Sequence, residues 1–188
     1  FIPAIKALEK KGYFIIRMGN LVKNKLNYKS KNVIDYSNSK YVNDFLDIYL
    51  INKCEFVIST GFGIDTVAMI YNKPMIFLNY LPIGECSVFS KNVTYTYKKV
   101  LDLKNKKYLK LSQLFKNRIA YEIPKTSILS KKKMKIISMD KKEIKKVVLE
   151  LEKNYKKSPK LKKFQILFKK NYEKTKIKVP SGDNYLGK

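Results

Sequence analysis

Residues 55–79, EFVISTGFGIDTVAMIYNKPMIFLN, constrain the fold more than any other stretch. Phe56 to Ser59 is a short apolar run rich in β-branched residues and reads as a buried strand. Thr60-Gly61-Phe62-Gly63 turns the chain, Ile64 to Tyr71 reads as a helix, and Pro74 to Leu78 reads as a second buried strand. Strand, glycine turn, helix and strand in that order predict a parallel βαβ unit. The turn then lies at the carboxyl end of one strand and the amino end of a helix, where free N–H groups and the helix dipole favour an anion such as a pyrophosphate. The same glycines serve equally well to make a tight turn and nothing more.

The flanking chain extends this pattern. Ile2, Ile5 and Leu8, with Ala4 alongside, form a helical stripe, and Gly12 suits its C′ position. Phe14-Ile15-Ile16 reads as a buried strand and Asn32 to Tyr36 as another, with a polar, basic loop over Leu21–Lys31 between them. Arg17 leaves the first of these strands at the edge where open α/β sheets bind ligands. It is a candidate phosphate or carboxylate clamp, with a surface salt bridge as the alternative. Asp35 and Tyr36 leave the second strand at the same edge. A carboxylate there suits ribose hydroxyls and a tyrosine suits a base, while either residue also suits capping the next helix.

Val42, Phe45, Leu46, Tyr49 and Leu50 recur at helical spacing and predict an amphipathic helix. Beyond Asn79, which is placed to hydrogen-bond a ligand, Val93–Val100 reads as a strand or extended segment carrying Lys98 and Lys99, where a lysine could meet a phosphate, although one lysine says little in so lysine-rich a chain. Leu109–Ile119 reads as a helix, Lys131–Lys135 as a solvated basic run and Ile136-Ile137 as a short strand. Asp140 to Glu143 has capping-box spacing ahead of a helix with Ile144, Val147, Val148 and Leu151 on one face. Ser158-Pro159 opens a last helix lined by Leu161, Phe164 and Phe168.

Together these elements predict an α/β fold, a Rossmann-like parallel sheet flanked by helices. Its ligand edge collects Arg17, Gly19, Asp35, Tyr36, Ser59, Thr60, Gly61, Phe62, Gly63 and Asn79. Neither the Gly-x-Gly-x-x-Gly dinucleotide fingerprint nor a Walker A loop is present.

Composition narrows the chemistry. The chain has no histidine and two cysteines, Cys54 and Cys86, so neither a Ser-His-Asp nor a Cys-His triad can be built from it, and a zinc site is not expected. The net charge of +26 comes almost wholly from lysine, Arg17 and Arg118 being the two arginines. Readers of nucleic acid favour arginine for bidentate contacts, so nucleic acid is a poor fit as partner. The lysines are spread along the sequence, as expected of an AT-rich genome, and a peripheral contact with an anionic membrane stays open.

In the order Phe14-Ile-Ile-Arg-Met-Gly19, Ile34-Asp-Tyr36, Asp47-Ile-Tyr-Leu50, Cys54-Glu-Phe-Val-Ile-Ser-Thr-Gly-Phe-Gly63 and Lys73-Pro-Met-Ile-Phe-Leu-Asn79, the sequence resembles a bacterial family of GT-B-type glycosyltransferases. Lys98-Lys99, Leu111-Ser112 and Asp140–Glu152 are similar to that family's tail.

The resemblance implies the carboxyl-terminal half of a GT-B fold, the half that holds a nucleotide-sugar donor, with transfer to a glycan or lipid-linked acceptor; the alternatives are a non-catalytic nucleotide- or phosphate-binding module of the same fold and a basic protein that binds nucleic acid or membrane. Residues 1–157 would form this donor domain without its amino-terminal part, 158–178 a terminal helix packing on it or on its missing partner, and 179–188 a tail. By the same resemblance Arg17 and Ser59 to Gly63 would meet the donor pyrophosphate, and Gly19, Asp35, Tyr36 and Asn79 the nucleoside. No metal or other cofactor is implied, the catalytic base is expected in the other domain, and the location implied is cytoplasmic, with or without membrane association. The pattern departs at Val67 and Asn72, where many GT-B enzymes carry a ribose-gripping Glu and a Gly.

Overall fold

A computed structural model describes residues 1–19, 22–85, 92–121 and 125–155. The terminal helix and tail expected over 158–188, and Cys86, lie outside the described residues. What is described is a mixed α/β fold with parallel sheets flanked by helices.

The central sheet is built from β3 (Val57–Ser59), β4 (Met75–Tyr80) and β5 (Val93–Tyr97), parallel and in the order β3-β4-β5. β4 is the middle strand, and its alternating side chains feed two different cores. Ile76 and Leu78 face α1 (Ile2–Glu9) and α6 (Lys141–Asn154), meeting Ala4, Leu8, Ile144 and Val148. Met75 and Phe77 face the other way, toward α2 (Asp44–Lys53) and α3 (Asp65–Ile70), meeting Ile51, Ala68 and Met69. A strand buried on both faces needs an unbroken apolar run, and MIFL supplies it.

Helix ends follow their local chemistry. Gly12 adopts φ +89°, its N–H donating to Glu9 O at 2.9 Å and the Tyr13 N–H to Leu8 O at 3.2 Å, which closes α1 in the expected way. The Asp140 carboxylate accepts from the N–H groups of Lys142 and Glu143, while Glu143 accepts from the Asp140 N–H, forming the expected capping box of α6. Asn72 takes φ +51° just before β4, a left-handed backbone that asparagine tolerates better than most residues.

Three expectations need correction. β1 (Ile15–Ile16) and β2 (Val33–Ile34) pair in parallel, but as a separate two-stranded sheet, and no helix joins them among the described residues. Nor is Phe14-Ile15-Ile16 buried throughout. Tyr13 and Ile15 turn toward the α1–α6 core, so alternation leaves Phe14 71% exposed and Ile16 on the outer face. The stripe read along α2 is likewise not its packed face. Phe45 is 73% exposed and stacks on Tyr49 with ring centroids 5.9 Å apart, while Ile51 enters the core.

A feature not foreseen is a third sheet, antiparallel, of β6 (Lys99–Asp102), β7 (Lys107–Tyr108) and β8 (Met134–Ile137) in the order β7-β6-β8. The chain leaves the parallel sheet at Lys98 and enters this one at Lys99. With α4 (Leu111–Lys116) it encloses its own core of Leu81, Ile83, Val100, Leu114, Ile119 and Ala120. A short α5 (Thr126–Lys131) precedes β8.

Candidate functional site

Where β3 and β4 end, the chain leaves an open cleft of about 460 Å³. Thr60 to Gly63 form one side, Asp65 and Thr66 the start of α3, Phe77, Asn79 and Tyr80 the edge of β4, and Lys98 the point where the chain changes sheets. The parallel pairing of β4 with β5 brings Lys98 here, its N–H donating to Tyr80 O at 3.2 Å. Lys98 makes no ion pair among the described residues.

The turn is organised by a carboxylate that the sequence reading left out. Asp65 is buried, and its Oδ2 accepts from the Phe62 N–H at 2.6 Å and from the Ser59 hydroxyl at 2.7 Å. Ser59 in turn accepts the Gly61 N–H at 3.0 Å. Burial pushes the Asp65 carboxyl up from its ordinary value, against the pull of the Phe62 N–H and Ser59. Gly61 takes φ +101°, which lets the chain reverse around this carboxylate.

Two of the N–H groups expected to be free for an anion are therefore satisfied internally. Ser59 is buried in the turn and does not line the cleft. The N–H groups of Gly63 and Ile64 have no acceptor among the described residues, and a Cβ at Gly63 would meet nothing within 4 Å. α3 has six residues, too few for its dipole to contribute much, so the positive charge available to the cleft is that of Lys98.

The other expected ligand-edge residues lie elsewhere. Arg17 Nη1 donates to Asn24 O at 2.8 Å and to Asp35 Oδ1 at 3.2 Å, so the salt bridge is the arrangement found. Asp35 also accepts from the Leu26 N–H, the Ser37 hydroxyl and the Asn38 amide. Burial works to raise its pKa, but the Leu26 N–H, Ser37, Arg17 and Asn38 prevail and hold it below the usual carboxylate range. The pair fastens the loop between β1 and β2 instead of facing the cleft.

Tyr36 is a core residue, 4% exposed, with its hydroxyl donating to Tyr41 O and Asn43 O, so it offers no face to a base. Gly19, at φ +128°, turns the chain out of β1 and is not part of the cleft. Asn79 does line it, at φ +57°, with its Oδ1 held by the Met139 N–H at 2.6 Å. Lys99 pairs with Glu143.

Replacing Asp35 with alanine is expected to cost about 1 kcal/mol at neutral pH, a value discounted for its partial exposure. The folded-state pKa is depressed, so this contribution is present above the unfolded carboxyl value and vanishes as pH falls through the folded one. Urea unfolding of wild type and Asp35→Ala should differ at pH 7 and converge toward pH ~2; a gap unchanged by pH would contradict the assignment.

Tyr80, Thr66 and Asp65 were not read as site residues. Asp65 had a local signal, an acidic side chain three residues after Phe62 where a helix begins. Lys98 was read as able to meet a phosphate, but in so lysine-rich a chain nothing local singled it out, and it is the pairing of β5 that brings it to the cleft. Among the described residues no three His, Cys, Asp or Glu side chains come together as a metal site, and no helix is long and apolar enough to cross a membrane. Compared with known proteins, the chain matches no family model, no curated protein and no solved structure.

Proposed function

We propose that this chain is the donor-binding part of a glycosyltransferase, a Rossmann-like domain of the GT-B type that holds a nucleotide sugar in the cleft beyond β3 and β4. The observation that carries the reading is the meeting of Lys98, Thr66 and Gly63, whose N–H is unused, around one open cleft. A diphosphate placed there would receive a backbone donor, a hydroxyl and an ammonium without displacing any internal hydrogen bond. Phe62, 68% exposed at the lip of the cleft, supplies an apolar ring against which a base or sugar would lie. Arg17, Asp35 and Tyr36 are not given a ligand role.

In transfer, charge builds on the leaving diphosphate as the glycosidic bond breaks. Lys98 and the Gly63 N–H would stabilise that charge, which is how a cleft of this kind lowers the barrier. Among the cleft residues no side chain is free to act as base toward an acceptor, because Asp65 is committed to Phe62 and Ser59. The base would come from elsewhere in the protein, and the acceptor would be a glycan or a lipid-linked sugar.

The test is thermal stability of the protein across nucleoside diphosphates and nucleotide sugars at low and high salt. One base, as diphosphate and as nucleotide sugar, is expected to stabilise selectively and to survive added salt. Lys98→Gln should weaken that binding by about tenfold or more, the loss of one charge-assisted hydrogen bond, with unfolding of the free protein changed by less than about 0.5 kcal/mol. Equal stabilisation by every polyanion, lost with salt, would refute the reading.

A further inference from the structure

The lysines that are scattered along the sequence are gathered by the antiparallel sheet. β6 pairs on one side with β7, placing Asp102 opposite Lys107, and on the other with β8, placing Asp102 opposite Met134. Just beyond, the Leu103 N–H donates to Lys133 O at 2.8 Å. The turn after β6 and the lead into β8 therefore share one end of the sheet. There Lys104, Lys106 and Lys107 meet Lys131, Lys132 and Lys133, all exposed.

None of these six lysines makes an ion pair among the described residues, whereas Lys11 is paired with Glu152 and Lys99 with Glu143. Asp102, the nearby carboxylate, is occupied by the N–H groups of Lys104 and Asn105 and by the Asn105 amide. Six lysines against the one Asp102 carboxylate leave an excess of like charge that repels and lowers stability, and the field it makes favours an anionic partner.

The surroundings of the lysines indicate which partner. Leu103 lies beside Lys104, and Ile128 lies one helical turn before Lys132; both are exposed aliphatic side chains. The nearest exposed ring, Tyr108, carries the Lys99 ammonium 5.7 Å from its centroid, so it is not a bare stacking platform. Lysines act as hydrated point charges, without the planar fork that arginine brings to bases. Clustered lysines around protruding aliphatic residues suit lipid headgroups above an acyl layer.

We infer that this end of the β7-β6-β8 sheet docks on the anionic face of a lipid bilayer, with the lysines at the headgroups and Leu103 and Ile128 entering the boundary beneath them. The assignment is independent of what the cleft binds.

Co-sedimentation of the protein with phosphatidylcholine vesicles, with and without phosphatidylserine, tests it. Binding is expected only with phosphatidylserine present. The triple variant Lys104→Gln, Lys107→Gln, Lys132→Gln should bind on the order of a hundredfold more weakly, each surface lysine being worth about fivefold. Leu103→Ser should weaken binding further, at unchanged charge. A control triple on the exposed side of α6, Lys142→Gln, Lys145→Gln, Lys146→Gln, removes the same charge and should retain most of the binding. Equal loss in the two triples would overturn the assignment, because it would mean that net charge alone binds. So would tighter binding to an RNA duplex than to the vesicles, with the same dependence on Lys104, Lys107 and Lys132.

Discussion

Leu78→Ala is expected to lower the unfolding free energy by about 2–5 kcal/mol, the range for a leucine truncated in a packed core. In a chain of this size that corresponds to a melting temperature lower by on the order of 10 °C. Leu78 is fully buried on the middle strand and joins the sheet to both α1 and α6 through Leu8, Ala4, Ile144 and Val148. Truncation removes apolar contact with two helices at once, and β4, held by pairing on both sides, cannot readily move to close the space. Calorimetry or urea unfolding of the two proteins measures the difference. A loss below about 1 kcal/mol would mean that α1 and α6 are not packed on β4 as described.

The second large effect is on binding. Gly63→Val should leave the free protein's stability nearly unchanged, because a Cβ at Gly63 meets nothing within 4 Å and its backbone is not left-handed. In the cleft, however, the branched side chain would stand over the Gly63 N–H. Loss of a hydrogen bond to a charged diphosphate costs about 1.5–3 kcal/mol, a fall in affinity of roughly ten- to a hundredfold. Gly61 is a poorer probe, since φ +101° strains any other residue whatever the ligand does. Calorimetric titration of Gly63→Val with the nucleoside diphosphate that stabilises wild type gives the answer. Undiminished affinity would remove the diphosphate from this turn.

The stretch from Phe56 to Leu78 was legible in the sequence because its signals agree. β-branched runs of strand length flank a glycine turn and a short apolar helix, and β4 needs apolar side chains on both faces. Capping likewise is written locally, as in Asp140 and Glu143. Elsewhere the local signal was real but the tertiary partner differed. The apolar spacing of α2 is present, yet Phe45 and Tyr49 satisfy each other by stacking at the surface while Ile51 fills the core. Tyr36 looked like a residue for a ligand edge, but carbonyl groups of Tyr41 and Asn43 take its hydroxyl and allow it to be buried.

The candidate site was only half legible, for the same reason. Thr60 to Gly63 and Asn79 lie on elements whose order the sequence reveals. Lys98 reaches them through the pairing of β4 with β5, and the lysine cluster forms through the pairing of β6 with β8, some thirty residues apart in the chain. Such pairings leave little trace in any short window. Arg17 and Asp35 do sit at a strand edge as read, but a cation and a carboxylate brought that close bind each other.

The most direct measurement of the central claim is amide chemical-shift mapping of the protein titrated with the nucleoside diphosphate that stabilises it. The account predicts saturable shifts confined to Thr60–Gly63, Ile64, Thr66, Asn79 and Lys98. Shifts centred instead on Arg17 and Asp35, or spread over the exposed lysines without saturation, would contradict a donor site in the cleft.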